Sequence, residues 1–420
     1  MRTVALLPED HGLLLELLRL PTAGPLESAT PPRLWEAQRR YAEAAHPLGF
    51  RVAHHAPCDP GAVDREDVPL PVRQAAASPD FLVMQPSLVL AAGRGPAIMF
   101  NVHLDTVAGD EPVDFDGSRF TGRGAIDAKG PAVALLAGVR AANAEDPALL
   151  DDVGMLVQVV SGEEGGAMGT IGTRPLVEAG FVGRLNVFCE PTGLRALSRV
   201  TAAMTARVSV HGQDAVDDAP EDGHNASVLL GFLAQHLACE LSAVGRPCVA
   251  GLHTGTLHNR VYGTGSLLLN LPYADQERAR VWARVVPAAV AAGLDAFAVR
   301  FRDVPALART AADAHAVTRL EWLKQGLPTL TGADDPWAEG LLYEAGVSPW
   351  PPAEPGFTCD AIWLADVSGV STVVIGPGTL AANNAHATGE FAELAELERF
   401  AATVARVLLA FARRARNGEV

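Results

Sequence analysis

The stretch Phe100-Asn101-Val102-His103-Leu104-Asp105-Thr106-Val107 decides how the chain is read. It continues an apolar run from Pro96, the mark of a buried strand, and two polar groups appear together at its end. His103 and Asp105 stand two apart, so on a strand they face the same side. A histidine so placed binds a metal through one ring nitrogen while a nearby carboxylate fixes the other. A satisfied core histidine beside a turn-forming aspartate leaves the same trace, so the stretches around it have to decide.

Upstream, Pro86–Ala92 and Ala97–Val102 read as two strands joined by the turn Gly93-Arg94-Gly95. Downstream, Thr121-Gly122-Arg123-Gly124-Ala125-Ile126-Asp127-Ala128-Lys129-Gly130-Pro131 precedes an apolar helix over Ala132–Ala142. Proline suits a first helical turn, so Asp127 is held in a tight loop at a helix start. A further buried strand, Leu156–Val160, ends in Ser161-Gly162-Glu163-Glu164-Gly165-Gly166. Two adjacent glutamates at the mouth of an apolar strand are costly unless cations neutralise them. Asn186–Cys189 is a short strand ending in Glu190, and a strand near Ser371–Gly376 leads into Pro377-Gly378 and on to His386.

Ligands of open α/β sheets bind at the carboxyl ends of strands. Gathered there, His103, Asp127, Glu164, Glu190 and His386 suit two divalent cations, with Asp127 bridging. Three carboxylates and one hydroxide offset four positive charges, so the buried site avoids a large desolvation penalty. Glu163 is then the spare carboxylate and suits general-base duty, taking a proton from water and passing it to a leaving nitrogen. That chemistry hydrolyses an amide.

The remaining sequence sets bounds. At 420 residues the chain exceeds a typical single domain. Its 49% hydrophobic content supplies a core, and its formal charge of −16 argues against nucleic acid or an anionic membrane as partner. The five cysteines, Cys58, Cys189, Cys239, Cys248 and Cys359, show no pairing pattern and read as reduced. Glu9, Asp10 and His11 interrupt the N-terminal apolar residues, which excludes a signal peptide, and no apolar run approaches the roughly 20 residues that span a bilayer. These features lead us to expect a soluble, cytoplasmic protein. Residues 1–52 read as helical, and 53–85, with His54 and His55, as surface loop. Residues 199–305 change character: strand Ala203–Val210, helix Asn225–Ser242, a strand pair over Gly255–Tyr273, helix Asp275–Ala292 and strand Ala296–Phe301 form a ferredoxin-like α+β unit inserted into the first domain. The first domain, 1–198, then resumes over 306–420 with a helix near Ala306–Arg319. It closes on a helix striped by Leu394, Leu397, Phe400, Val404, Val407 and Phe411.

The patterns His103-x-Asp105-Thr106-Val107, Gly122-Arg123-Gly124-x-x-Asp127-x-Lys129-Gly130, Glu163-Glu164-Gly165 and Glu190-Pro191-Thr192, with a late histidine after Gly-Pro-Gly, resemble the M20 metallopeptidases. That family includes carboxypeptidase G2, acetylornithine deacetylase, succinyl-diaminopimelate desuccinylase and aminoacylase 1, and the phrase Glu190-Pro191-Thr192-Gly193 is closest to the deacetylase-like branch. The resemblance implies a zinc-peptidase-like α/β catalytic domain with a mixed central sheet flanked by helices, and an inserted lid through which family members dimerise. It implies a co-catalytic zinc pair, with cobalt or manganese as alternatives. One ion would be held by His103, Asp127 and Glu190, the other by Asp127, Glu164 and His386. Asp105 would orient His103 and Glu163 would be the base. Asn259 matches an asparagine used near substrate, and Gly378 lies where the family's loop meets a substrate carboxylate.

The lid departs from the family pattern. Gly212, Ala215, Pro220, Gly223, Asn225 and Ala226 fit it, but the position of the oxyanion-stabilising histidine holds Val216, followed by Asp217 and Asp218. Losing such a donor costs on the order of 10²–10³ in rate. His211, His224, His253 and His258 are the candidate substitutes, His258 beside Asn259 being preferred. Asn270 stands where the family often has arginine, which leaves open whether the substrate bears a carboxylate. The leading expectation is a zinc-dependent amidohydrolase acting on an N-acyl amino acid or small peptide. The alternatives are a dipeptidase or aminopeptidase of the same family, or a metal-binding protein that has lost or altered turnover.

Overall fold

The structure, a computed structural model, describes residues 4–332 and 335–420; residues 1–3 of the expected first helical stretch lie outside it. The chain forms two compact units, one of Met1–Val200 with Leu330–Val420, the other of Thr201–Thr329.

The first unit is built on a six-stranded sheet of β1 (Arg51–Ala56), β2 (Ser87–Ala92), β3 (Ala97–His103), β4 (Gly154–Val160), β5 (Leu185–Phe188) and β6 (Ser371–Val374). Their order across the sheet is β1-β2-β4-β3-β5-β6. β3 to β6 run parallel, while β2 lies antiparallel to β4 and β1 antiparallel to β2. The continuous apolar run Ile98-Met99-Phe100 suits a strand covered on both faces, and all three side chains are buried. On one face pack α1 (Pro8–Arg19), α2 (Leu34–Ala45), α3 (Lys129–Glu145) and α4 (Leu394–Arg416), whose apolar stripes share one core with the strands. The stripe expected for α4 is buried at Leu397, Phe400, Val404, Val407 and Phe411.

The turn Gly93-Arg94-Gly95 joins β2 to β3 as expected, but the two do not pair, because β4 inserts between them and pairs with both. Each neighbour in that order buries apolar side chains, so the sheet gains a central strand that a local turn does not reveal. His54 and His55 are not in a loop. They lie on the edge strand β1, whose exposed half tolerates polar residues, and His55 Nε2 sits 3.1 Å from Gln38 Oε1.

The second unit carries a four-stranded antiparallel sheet ordered Cys248–His253, Thr264–Tyr273, Ala202–His211, Thr318–Lys324. Helices Ala226–Ser242, Gln276–Phe301 and Ala308–Val317 pack with it. The expected strand Ala296–Phe301 is instead the end of the 26-residue helix Gln276–Phe301. Trp282, Val286, Val290, Leu294 and Phe297 recur at helical spacing and are buried along its whole length. The fourth strand comes later, from Thr318–Lys324, so this unit runs beyond residue 305, and residues 306–329 fold with it rather than with the first unit. By length and composition alone, Gln276–Phe301 is also the one helix among the described residues apolar enough to cross a bilayer, but Arg280, Arg284 and Asp295 interrupt it, and its apolar stripe is buried in this unit.

Candidate metal centre

Because β3, β4, β5 and β6 run parallel, their carboxyl ends lie along one edge of the sheet. His103 is the last residue of β3 and its ring is 0% exposed. Its Nδ1 lies 2.9 Å from the Asp105 backbone carbonyl. A carbonyl only accepts, so Nδ1 carries a hydrogen and Nε2 is the ring nitrogen left for a metal. Nε2 faces Asp127 Oδ1 at 2.9 Å and Glu190 Oε1 at 3.6 Å. His386 Nε2 faces Asp127 Oδ2 at 3.2 Å and Glu164 Oε1 at 2.8 Å.

Asp127 thus divides its two oxygens between two histidines. The sets His103–Asp127–Glu190 and Asp127–Glu164–His386 each bring three donor atoms within 4.8 Å of one another. Two ligands about 2.1 Å from one tetrahedral ion lie roughly 3.4 Å apart, close to the separations seen here. In the metal-free state protons on the two rings bridge these nitrogens to the carboxylates; the same nitrogen and oxygen atoms form a donor set that fits a pair of divalent ions.

Asp127 lies in a loop shaped by Gly122 and Gly124, at φ 139° and 87°. A Cβ on Gly124 would stand 2.9 Å from the Thr106 methyl, so the loop closes on the residue after Asp105 only with glycine there. α3 starts at Lys129 and its N-cap position is Ala128, so Asp127 does not cap the helix. Glu163 and Glu164 follow β4 on a loop closed by the Gly169 N–H donating to the Gly162 carbonyl at 2.8 Å.

Asp105 holds that loop rather than the histidine. Its Oδ2 accepts from the Gly162 and Glu164 N–H groups, both at 3.0 Å, while Oδ1 stays 3.7 Å from His103 Nδ1. The expected carboxylate–histidine contact is therefore replaced by the backbone carbonyl of the same residue. A strand end that turns immediately offers its carbonyl to the ring first.

The electrostatics show a cluster starved of positive charge. Burial pushes Glu163 well above the usual carboxylate range, and the charges of Asp360 and Glu164 push it further. Burial raises Glu164 to about 7. Burial also raises Glu190, against the opposing pull of His103. Hydrogen bonds to Asp127 and Glu164 lift His386 to about 10. For Asp127, burial acts upward but is outweighed by its hydrogen bonds to the two histidines, and its pKa falls.

Sequence reasoning missed several supporting groups. Glu390 accepts the Ile126 and Asp127 N–H groups at 3.2 and 3.4 Å and pairs with Arg123 at 2.8 Å. Asp360 is buried, accepts from the Thr173 hydroxyl at 2.5 Å, and packs against Gly169 of the glutamate loop. Arg123 stood inside a recognised motif and Glu390 four residues after His386, whereas nothing local flagged Asp360.

The expected substrate contacts are placed differently. Gly378 is buried against Ile126 and Asn383, at φ 56°, and its carbonyl accepts from Gly193 N–H at 2.6 Å, so it joins two loops of the first unit. Asn259 and His258 are exposed residues of the second unit, where Val216 is 60% exposed. His224 is not a free donor: its Nδ1 accepts from Gln213 N–H at 2.9 Å, and Nε2 lies 3.1 Å from Asp313 Oδ2.

The profile of Peptidase family M20/M25/M40 matches residues 99–410. Among curated proteins, one from Aeropyrum pernix described as a candidate LysW-lysine/LysW-ornithine hydrolase is 30% identical over 188 residues, 44% of this chain and 50% of that protein. The chain spans half or less of the length of the curated relatives it matches. Among solved structures, a Staphylococcus aureus tripeptidase aligns with a TM-score of 0.67 at 17% identity, over 96% of this chain and 98% of that one. A Bacillus subtilis dinuclear metal-binding peptidase of the M20 family aligns with a TM-score of 0.55 at 12% identity, over 96% and 97%. At these identities the structural likeness establishes the fold.

Proposed function

The chain belongs to Peptidase family M20/M25/M40; from that premise we propose that it is a hydrolase of amide bonds that cleaves an N-acyl amino acid or small peptide. The observation that carries this reading is the division of Asp127 between two histidine–carboxylate sets, with Glu163 adjoining them. Zinc is the metal we assign, since imidazole and carboxylate donors in small sets suit it. Bound there, two such ions would acidify water toward neutrality and polarise the scissile carbonyl. Glu163 takes the proton of the attacking water. As the new C–O bond forms and the C–N bond breaks, Glu163 passes that proton to the departing nitrogen. Burial moves Glu163 upward from the ordinary carboxylate range, the direction that makes a carboxylate a stronger base.

The second unit is proposed to form a homodimer, with His258 as the substitute for the oxyanion donor that Val216 cannot supply and Asn259 near substrate. The Aeropyrum pernix protein is described as acting on LysW-linked lysine or ornithine, and the Staphylococcus aureus protein is a tripeptidase. The test is a panel of N-acyl amino acids, dipeptides and tripeptides with zinc-loaded protein, alongside Glu163→Gln. Amide cleavage by the wild type and none by the variant supports the reading. Zinc uptake with no cleavage of any amide favours the binding protein that has lost turnover.

A further inference from the structure

His103 and His386 are held by unlike means. His103 ends a central strand and is wholly buried, so its position is fixed by the sheet. His386 is 49% exposed and sits in the long connection between β6 and the short strand Phe391–Glu393. Asn384 and His386 both adopt the left-handed region, at φ 53° and 63°, which non-glycine residues occupy only when neighbours hold them there.

Those neighbours converge on one buried ion pair. Glu390, 1% exposed, accepts Ile126 and Asp127 N–H groups on Oε1 and the Arg123 guanidinium on Oε2. The same guanidinium nitrogen donates to the carbonyl of Ala387, the residue after His386, at 3.2 Å. Glu111 completes the grip, accepting Gly389 N–H at 2.9 Å and facing Arg123 at 3.5 Å. One carboxylate therefore links the backbone of Asp127 to the loop bearing His386.

We propose that Glu390, acting through Arg123, is a positioning residue that sets the distance between His386 and Asp127, so that the Asp127–Glu164–His386 site, two of whose ligands it holds, depends on it more than the His103–Asp127–Glu190 site, one of whose ligands it holds. This rests on the two-ion reading given above. Removing an outer partner of a metal ligand typically weakens binding about 10–100-fold, and here the loss falls mainly on one ion of the two.

The experiment is a zinc competition titration of wild type, Glu390→Gln and Glu390→Ala, with Co2+ absorption spectra of each and circular dichroism to confirm folding. In Glu390→Ala the ion at Asp127–Glu164–His386 is weakened ten- to a hundred-fold, and the ion at His103–Asp127–Glu190 is weakened by less than that. Glu390→Gln, which retains a carbonyl for the two N–H groups, recovers part of that loss. If Glu390→Ala does not fold, Glu390→Gln and Arg123→Lys carry the comparison. Folded variants binding both ions as tightly as wild type, or both weakened alike, overturn the proposal. A wild type that takes up fewer than two ions overturns the two-ion reading itself, and this inference with it.

Discussion

Asp127 concentrates the account at the scale of single residues, because each of its oxygens answers a different histidine. Glu163 also lies within ligand reach of His103 and Glu164, but in the proposed mechanism it is the base rather than a ligand. Glu163→Gln is expected to retain zinc while amide turnover falls about 10²–10⁴-fold, read by metal analysis and steady-state kinetics on one preparation; near-normal turnover contradicts the assignment. Asp360 gives a pH prediction for the metal-free protein. Burial raises its carboxyl to about 8, with the Thr173 hydrogen bond opposing and the Asp105 charge adding. In the unfolded chain it titrates near 4, so between about 4 and about 8 the folded state holds one proton more. Its contribution is complete below that window and is lost as pH rises through it. Urea unfolding of wild type at several pH values should show this decline, and Asp360→Asn should flatten it; equal slopes contradict it. The candidate ligands were legible in the sequence because His103, Glu164, Glu190 and His386 come after apolar strands and Asp127 stands in a glycine loop before an apolar helix. Asp360 and Glu390 were not, since their roles lie in contacts with residues far away in the chain.

Elements carry the ligands to one edge, and their order was only partly legible. Apolar runs mark β3, β4 and β5 clearly, but which strand lies beside which is set by packing, so β4 separates β2 from β3 despite the glycine turn between them. β1 escaped notice because an edge strand half in solvent keeps polar residues such as His54. The helix Gln276–Phe301 kept its 3.6-residue periodicity through the segment expected as a strand. α3 and α4 pack closely at Gly138. A Cβ on Gly138 would stand 2.6 Å from the Ala401 carbonyl oxygen and 2.7 Å from Val404 Cβ. Gly138→Val is therefore expected to force the helices apart and destabilise the protein by about 1–3 kcal/mol, measured by urea denaturation. An unchanged midpoint would show that α3 and α4 do not meet this closely.

At the scale of the whole molecule, all five candidate ligands belong to the first unit and none to Thr201–Thr329. Binding stabilises only the state that forms the site, by about 2.7 kcal/mol at a hundredfold excess over Kd. Scanning calorimetry with and without chelator should move the transition of the first unit and leave that of the second in place. Equal displacement of both transitions contradicts this division. The insertion itself was evident from the change in character near residue 199, while its end was misplaced because the fourth strand, Thr318–Lys324, follows an additional helix.

The most direct test of the account is anomalous diffraction from zinc-soaked crystals of the whole chain. Two peaks about 3.5–4 Å apart, one on each oxygen of Asp127 and flanked by His103 and His386, are the predicted result. A single peak, or none within coordinating reach of Asp127, would contradict it.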